Sequence, residues 1–240
     1  DGLGLGTYGW GAQQSAGNRI ADNFTLENQC TIDTITVYSY QTGATPPTIT
    51  SVVMQIWNGP PNAGGTVIWG DLTTNRLASV AGASIFRTLP TVDCTRHIQT
   101  CVCTVGVQLP PGTYWVDYSF AGTSTSGPWA PPVTILGLTG KPGANALQYT
   151  STGWANALDG TYVQDFPFIV QGTCGAPPND CNENGVPDEC DIGTEWGGYC
   201  TGPECSSDWN GNGVPDECEL CGDLDEDGDV ELDDYWEFLA

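Results

Sequence analysis

The chain has 240 residues, 29 of them acidic and five basic, for a formal net charge of −24. That length accommodates one ordinary domain and a smaller module. So few Lys and Arg exclude a protein that grips nucleic-acid phosphates, and no apolar run reaches the roughly 18 residues of a membrane-spanning segment.

The charge is unevenly placed. Residues 1–173 carry five basic and nine acidic side chains, whereas residues 174–240 carry twenty acidic and no basic ones. Such a tail repels itself and has too little apolar content for a conventional core. It therefore needs counter-ions and cross-links to hold a shape. Eleven cysteines, six of them between Cys181 and Cys221, imply an oxidising compartment, and their odd number leaves at least one without an intrachain partner. Asp1 reads as a mature or trimmed start, and the protein is expected to be secreted or held at a cell surface.

In chain order, residues 1–20 are a glycine-rich arm or edge strand, with Leu3, Leu5, Tyr8 and Trp10 as isolated apolar side chains. Residues 21–173 then read as many short strands. They are predicted at 23–27, 32–40, 51–57, 66–70, 84–89, 98–108, 113–120, 146–149 and 162–171, from their enrichment in Thr, Val, Ile, Tyr and Trp. Turn signals stand at 44–47, 58–65, 109–112 and 127–132. The fold class is mainly β: an antiparallel β-sandwich, with a jelly roll as one way to connect it. Asn23-Phe24-Thr25 is a glycosylation acceptor sequence. Trp129, on a proline-stiffened loop, and Trp154 are the aromatics to examine for stacking on a glycan.

Cys94, His97, Cys101 and Cys103 offer a zinc-type ligand set, but paired ligands usually stand further apart than His97 and Cys101. Disulfides among these cysteines, or with Cys30 or Cys174, are the simpler expectation. His97 is the chain's single histidine and no nucleophile motif accompanies it, so triad chemistry finds little footing. A glycoside hydrolase needs only two carboxylates. Asp71, Asp93, Asp117, Asp159 and Asp165 are available, and nothing in the sequence pairs them.

The acidic tail contains three repeats. Oxygen-bearing side chains at loop positions 1, 3 and 5, glycine at 6 and carboxylates at 9 and 12 form the calcium-loop pattern, with the backbone carbonyl of position 7 as a further ligand. The first loop supplies Asp180, Asn182, Asn184, Val186, Asp188 and Asp191, and the second Asp208, Asn210, Asn212, Val214, Asp216 and Glu219. The third supplies Asp223, Asp225, Asp227, Asp229, Glu231 and Asp234. Two or three Ca2+ ions are therefore expected. Pro187 and Pro215 at position 8 argue against flanking EF-hand helices, while Leu232, Tyr235, Trp236 and Leu239 share one face of a short C-terminal helix.

The loops DCNENGVPDEC and DWNGNGVPDEC resemble the calcium repeats of secreted proteins from planctomycete-type bacteria, and are similar to thrombospondin type 3 repeats. That likeness implies two disulfide-tied loops over residues 174–222. GDLDEDGDVELDDYWEFLA, within 223–240, resembles half of a dockerin-like or EF-hand module. A complete dockerin has two such units and binds a cohesin, and one complete unit stands here. ADNFTLENQC resembles the opening of bacterial extracellular β-sandwich domains that begin with an ADDFTL-like strand. The resulting expectation is a secreted or cell-surface calcium-binding structural protein, without enzymatic activity, that assembles with itself as a homo-oligomer or filament. Carbohydrate binding or adhesion is the alternative, followed by hydrolysis.

Overall fold

A computed structural model describes residues 6–88, 94–175, 180–182, 184–203, 205–209, 211 and 213–218. The chain divides into two compact units, residues 1–174 and 175–240.

The first unit is mainly β and multi-sheet, with one sheet curled into a half-barrel. Its larger strands follow the β-branched and aromatic stretches: β2 (Arg19–Leu26), β3 (Cys30–Ser39), β4 (Ile49–Trp57), β5 (Val67–Asp71), β6 (Leu77–Phe86), β7 (His97–Leu109) and β8 (Gly112–Gly122). The C-terminal part adds β10 (Leu147–Thr150), β11 (Gly153–Asn156) and β14 (Phe168–Cys174). Short two-residue pairs join β1 (Trp10–Gly11) to β9 (Trp129–Ala130), and β12 (Leu158–Asp159) to β13 (Tyr162–Val163).

Six strands form one sheet in the order β11-β10-β2-β8-β4-β5, and four form another in the order β14-β3-β7-β6. Every pairing in these two sheets is antiparallel. Their inner faces share one apolar core, to which the first sheet gives Ile20, Met54, Val116 and Phe120, and the second Ile35, Val37, Cys101 and Cys103. The imperfect alternation in β3 has a cause. Against β14, Thr34 and Ile32 pair with the adjacent residues Gln171 and Gly172, which leaves Asp33 as an extra residue on β3, so Ile32 faces the core as Ile35 and Val37 do, although three positions separate Ile32 from Ile35.

A disulfide joins Cys30 at the start of β3 to Cys174 at the end of β14, closing a sequence separation of 144 residues. The expected N-terminal arm is only partly an arm. From Trp10 onward it is built into the fold, through β1, through the N–H of Phe120 donating to the Ala12 carbonyl, and through β2 starting at Arg19. The expected strand over residues 162–171 is broken between β13 and β14 around Pro167, which has no N–H to give a ladder.

Among the described residues of the second unit the regular structure is one four-residue helix, α1 (Asp188–Asp191), and single 3-10 turns at Thr194–Trp196 and Asp216–Cys218. Disulfides Cys181–Cys218 and Cys200–Cys205 tie it together. Ile192 is buried, and Trp196 packs against Trp209 with ring centroids 5.2 Å apart. No helix among the described residues is long and apolar enough to cross a membrane.

Candidate functional site

The first two loops of the second unit keep the expected turn. Gly185 and Gly213, at position 6, have φ of 90° and 87°, the left-handed conformation that favours glycine. The expectation of bound Ca2+ is nevertheless overturned. Among the described residues a single group of three metal-ligating side chains converges, Cys181, Asp188 and Cys218. It is sulfur-rich where calcium takes six to eight oxygens, and its two sulfurs are bonded to each other.

The loop carboxylates are turned onto the chain's own donors instead. Asp180 accepts the N–H groups of Asn184 at 3.1 Å and Gly185 at 2.9 Å, and Asp208 accepts those of Gly211 at 2.8 Å and Gly213 at 3.0 Å. Asp188 accepts the N–H of Cys181 at 3.0 Å, and Asp216 that of Trp209 at 2.8 Å, so position 9 reaches back to position 2 in both loops. One oxygen of Asp191 takes the side-chain amides of Asn182 and Asn184 and the hydroxyl of Ser206. Burial alone would push the Asp191 carboxyl up, but these three donors outweigh it and hold it below the ordinary carboxylate range. The repeated spacing thus closes each loop on itself, as aspartate and asparagine do in tight turns. Val186 and Val214 lie exposed in the turns. Asn210, Asn212 and Glu219 lie outside the described residues. So do the whole third loop with Asp223, Asp225, Asp227, Asp229, Glu231 and Asp234, and the expected C-terminal helix.

The cysteine-histidine stretch separates in the fold. Cys101 and Cys103 point into the core from β7, Cys94 is exposed, and His97 stacks on Phe86 with ring centroids 4.6 Å apart. All three cysteines are free, whereas Cys30 pairs with Cys174. Position 94 to position 103 therefore holds neither the disulfides expected of it nor a converged ligand set. Burial pushes the Cys103 thiol up to about 12 and Cys101 higher still.

The candidate carboxylates are dispersed. Asp71 sits in an exposed turn, where hydrogen bonds from Thr73 and Thr74 hold it far below the ordinary range. Asp159 accepts the N–H groups of Gly6 and Thr7, and Asp93 lies outside the described residues. Asp117 is fully buried on the outer face of the six-stranded sheet. Arg19 Nε lies 3.3 Å from one of its oxygens, and the Trp57 indole donates to the other at 3.3 Å. Burial lifts this carboxyl to about 7 against the pull of Arg19 and Trp57. The guanidinium in turn lies over the rings of Tyr149 and Trp154, 4.4 and 5.2 Å from their centroids. Trp154 is thus engaged by Arg19, Tyr149 and Trp57. Trp129 is half-buried in β9, its indole donating to Ser126 at 3.3 Å. Asp165 is buried beside Lys141, which the sequence reading did not single out.

A groove that the sequence did not announce lies across one end of the four-stranded sheet. It has a volume of about 520 Å³ and draws apolar side chains from all four strands: Ile85 and Phe86 of β6, Ile98 of β7, Tyr38 of β3, and Phe168 and Ile169 of β14. Arg87 marks one wall. It donates to the carbonyls of Thr7 and Tyr8 and to the Thr134 hydroxyl, which fixes the N-terminal segment and the 131–134 loop beside the groove. Ile85, Phe86 and Ile169 remain 58, 41 and 48 % exposed. Scattered apolar exposure is ordinary, but a cluster of this kind marks a surface made to be covered. No known protein family, curated protein or solved structure matches the chain.

Proposed function

We propose that the chain is a secreted or cell-surface structural module whose two sheets form a β-sandwich, and that copies of it assemble by strand addition. The observation that supports this reading is the chemistry of the sheet edges left unpaired among the described residues. β6 and β14 end the four-stranded sheet, and neither LASVAGASIF nor FIVQGTC contains a charged residue. Natural edge strands are commonly guarded by lysine or other charges against pairing with another chain. Here the edges carry exposed Ile85, Phe86 and Ile169 and flank the groove.

A second copy is the occupant that fits. β5 is a free edge of the other sheet, with Val67 and Ile68 each about two-fifths exposed. An extended strand of that kind supplies the backbone partners that β14 lacks and the apolar side chains that the groove accepts. Because the two surfaces differ, the contact is heterologous and propagates into a filament unless its rotation closes a ring. The disulfides found among the described residues accord with a structural role outside the reducing cytosol.

Average mass measured by light scattering against protein concentration tests the reading. The native chain should grow beyond a monomer as concentration rises. Ile169→Asp, a change at a half-exposed position, should weaken association at least tenfold, since it places a charge in an apolar contact. A native chain that stays monomeric at the highest attainable concentration, or an Ile169→Asp variant that assembles equally well, would sink it.

A further inference from the structure

Lys141 pairs with Asp165, and Asp22 bonds the next residue, at a place that neither the groove nor the sheet edges use. Lys141 Nζ lies 3.0 Å from Asp165 Oδ2, and the other oxygen of Asp165 is held by the N–H of Asn145 at 2.9 Å, so the carboxyl is fixed in orientation. Asp22, on the inner face of β2, reaches the backbone of the residue that follows Asp165. One of its oxygens accepts the N–H of Phe166, the residue after Asp165, at 2.7 Å, and the other accepts the N–H of Asn23 at 2.8 Å. Asp22 and Asp165 are 3 and 5 % exposed, while the Lys141 side chain is 54 % exposed. An amine that approaches from the solvent side thus touches a carboxyl whose far side is dry, with a second carboxyl behind it.

We propose that Lys141 and Asp165 are joined by an isopeptide bond that the chain forms by itself, with Asp22 as its proton relay. In the ion pair the amine is protonated and the acid is not. One proton crossing the 3.0 Å contact gives the neutral amine and the carboxylic acid. The Nζ lone pair then forms a bond to Cγ of Asp165. Asp22 takes a proton from that nitrogen and delivers it to the departing hydroxyl, the Cγ–O bond breaks, and one water leaves. The sum is ammonium plus carboxylate to amide plus water, with no oxidant, nucleotide or other reactant.

Three physical circumstances favour the step. The amine nitrogen is held 3.0 Å from an oxygen of the carboxyl it would attack, which removes much of the entropic cost of bringing the two groups together. A half-buried ion pair is replaced by a neutral amide, which relieves the penalty of keeping two charges away from water. Burial, reinforced by the neighbouring charge of Asp165, holds the Asp22 carboxyl at about 7 against its N–H donors and Lys141, so both of its protonation states are populated near neutrality, as a relay requires. The product would fasten the segment around residue 141 covalently to the residues that lead into β14, a use that suits a structural module but does not depend on assembly between copies.

The experiment is intact mass of the full chain after complete disulfide reduction, followed by chymotryptic mapping, since cleavage at Tyr149 and Trp154 separates Lys141 from Asp165. The native chain should fall short of its sequence mass by one water, and fragmentation should show a branched peptide containing both residues. Lys141→Arg should restore the full mass, and Asp22→Asn should restore it while leaving the ion pair in place. An undiminished native mass after incubation at neutral pH overturns the proposal. So does a water loss that maps to an aspartyl-glycine succinimide. An Asp22→Asn chain that still loses water at Lys141 overturns the relay.

Discussion

Replacing Arg19 by methionine should cost the first unit about 1 kcal/mol more at pH 8 than at pH 5, because the folded Asp117, held at about 7 with Arg19 in place, then stays protonated at pH 8. Asp117 has no exposed surface, and its two oxygens rely on Arg19 and on the Trp57 indole. Burial already raises this carboxyl to about 7 with Arg19 in place, and removing the guanidinium can only raise it further. The sign follows from proton counting. Between the unfolded value of about 3.9 and the raised folded value, the folded protein binds a proton that the unfolded chain does not. Stability is therefore fully present below about pH 4 and is lost as pH rises through the folded value. Asp22, also raised to about 7, adds to the same slope. Urea midpoints of native and Arg19→Met chains, followed by tryptophan fluorescence across this range, measure the difference. An equal penalty at pH 5 and pH 8 would show that Asp117 does not carry it.

The second large effect concerns the bond between Cys30 and Cys174. Their separation of 144 residues is long, and in the chain-entropy account a loop of about 100 residues contributes about 4.7 kcal/mol by restricting the unfolded chain. The double change to alanine should therefore cost about 3–5 kcal/mol. β14 pairs with β3 alone, so its amides should also lose protection from hydrogen exchange before those of β8, which lies between two partners. An unchanged midpoint, or loss of protection that begins in β8, would refute this account.

Much of the first unit was legible in its residues. β3, β4 and β8 are rich in Ile, Val, Thr, Tyr and Trp and emerged within a few residues of their predicted limits. The first half of β6 did not, because LASVAGAS has little intrinsic preference for a strand. It is extended through pairing with β7, as at Val80 with Cys101 and Ala81 with Thr100. β1 and β9 are too short for periodicity, and they find each other only once Trp10 and Ala130 are brought together by the core.

The candidate sites show a different kind of gap. The tail repeat was visible, but its spacing suits two purposes: oxygens placed to wrap a cation are also placed to accept the loop's own N–H groups, and the structure uses them for the second. The Lys141–Asp165 contact spans 24 positions, and Asp22 of β2 bonds the residue beside it. No local pattern encodes such a meeting. The groove is equally a product of topology, since six of its apolar side chains come from four strands and acquire meaning only when those strands lie side by side.

The two unpaired thiols of β7 give the molecule an internal clock. Cys101 and Cys103 have no exposed surface, while Cys94 and Cys190 face solvent, and thiolate rather than thiol does the reacting. Among the described residues, a bulky alkylating reagent therefore finds Cys94 and Cys190 at once and Cys101 and Cys103 only when the sheets part. Slow labelling at Cys101 and Cys103 reads out how often the closed interior breathes, without any probe having to be added.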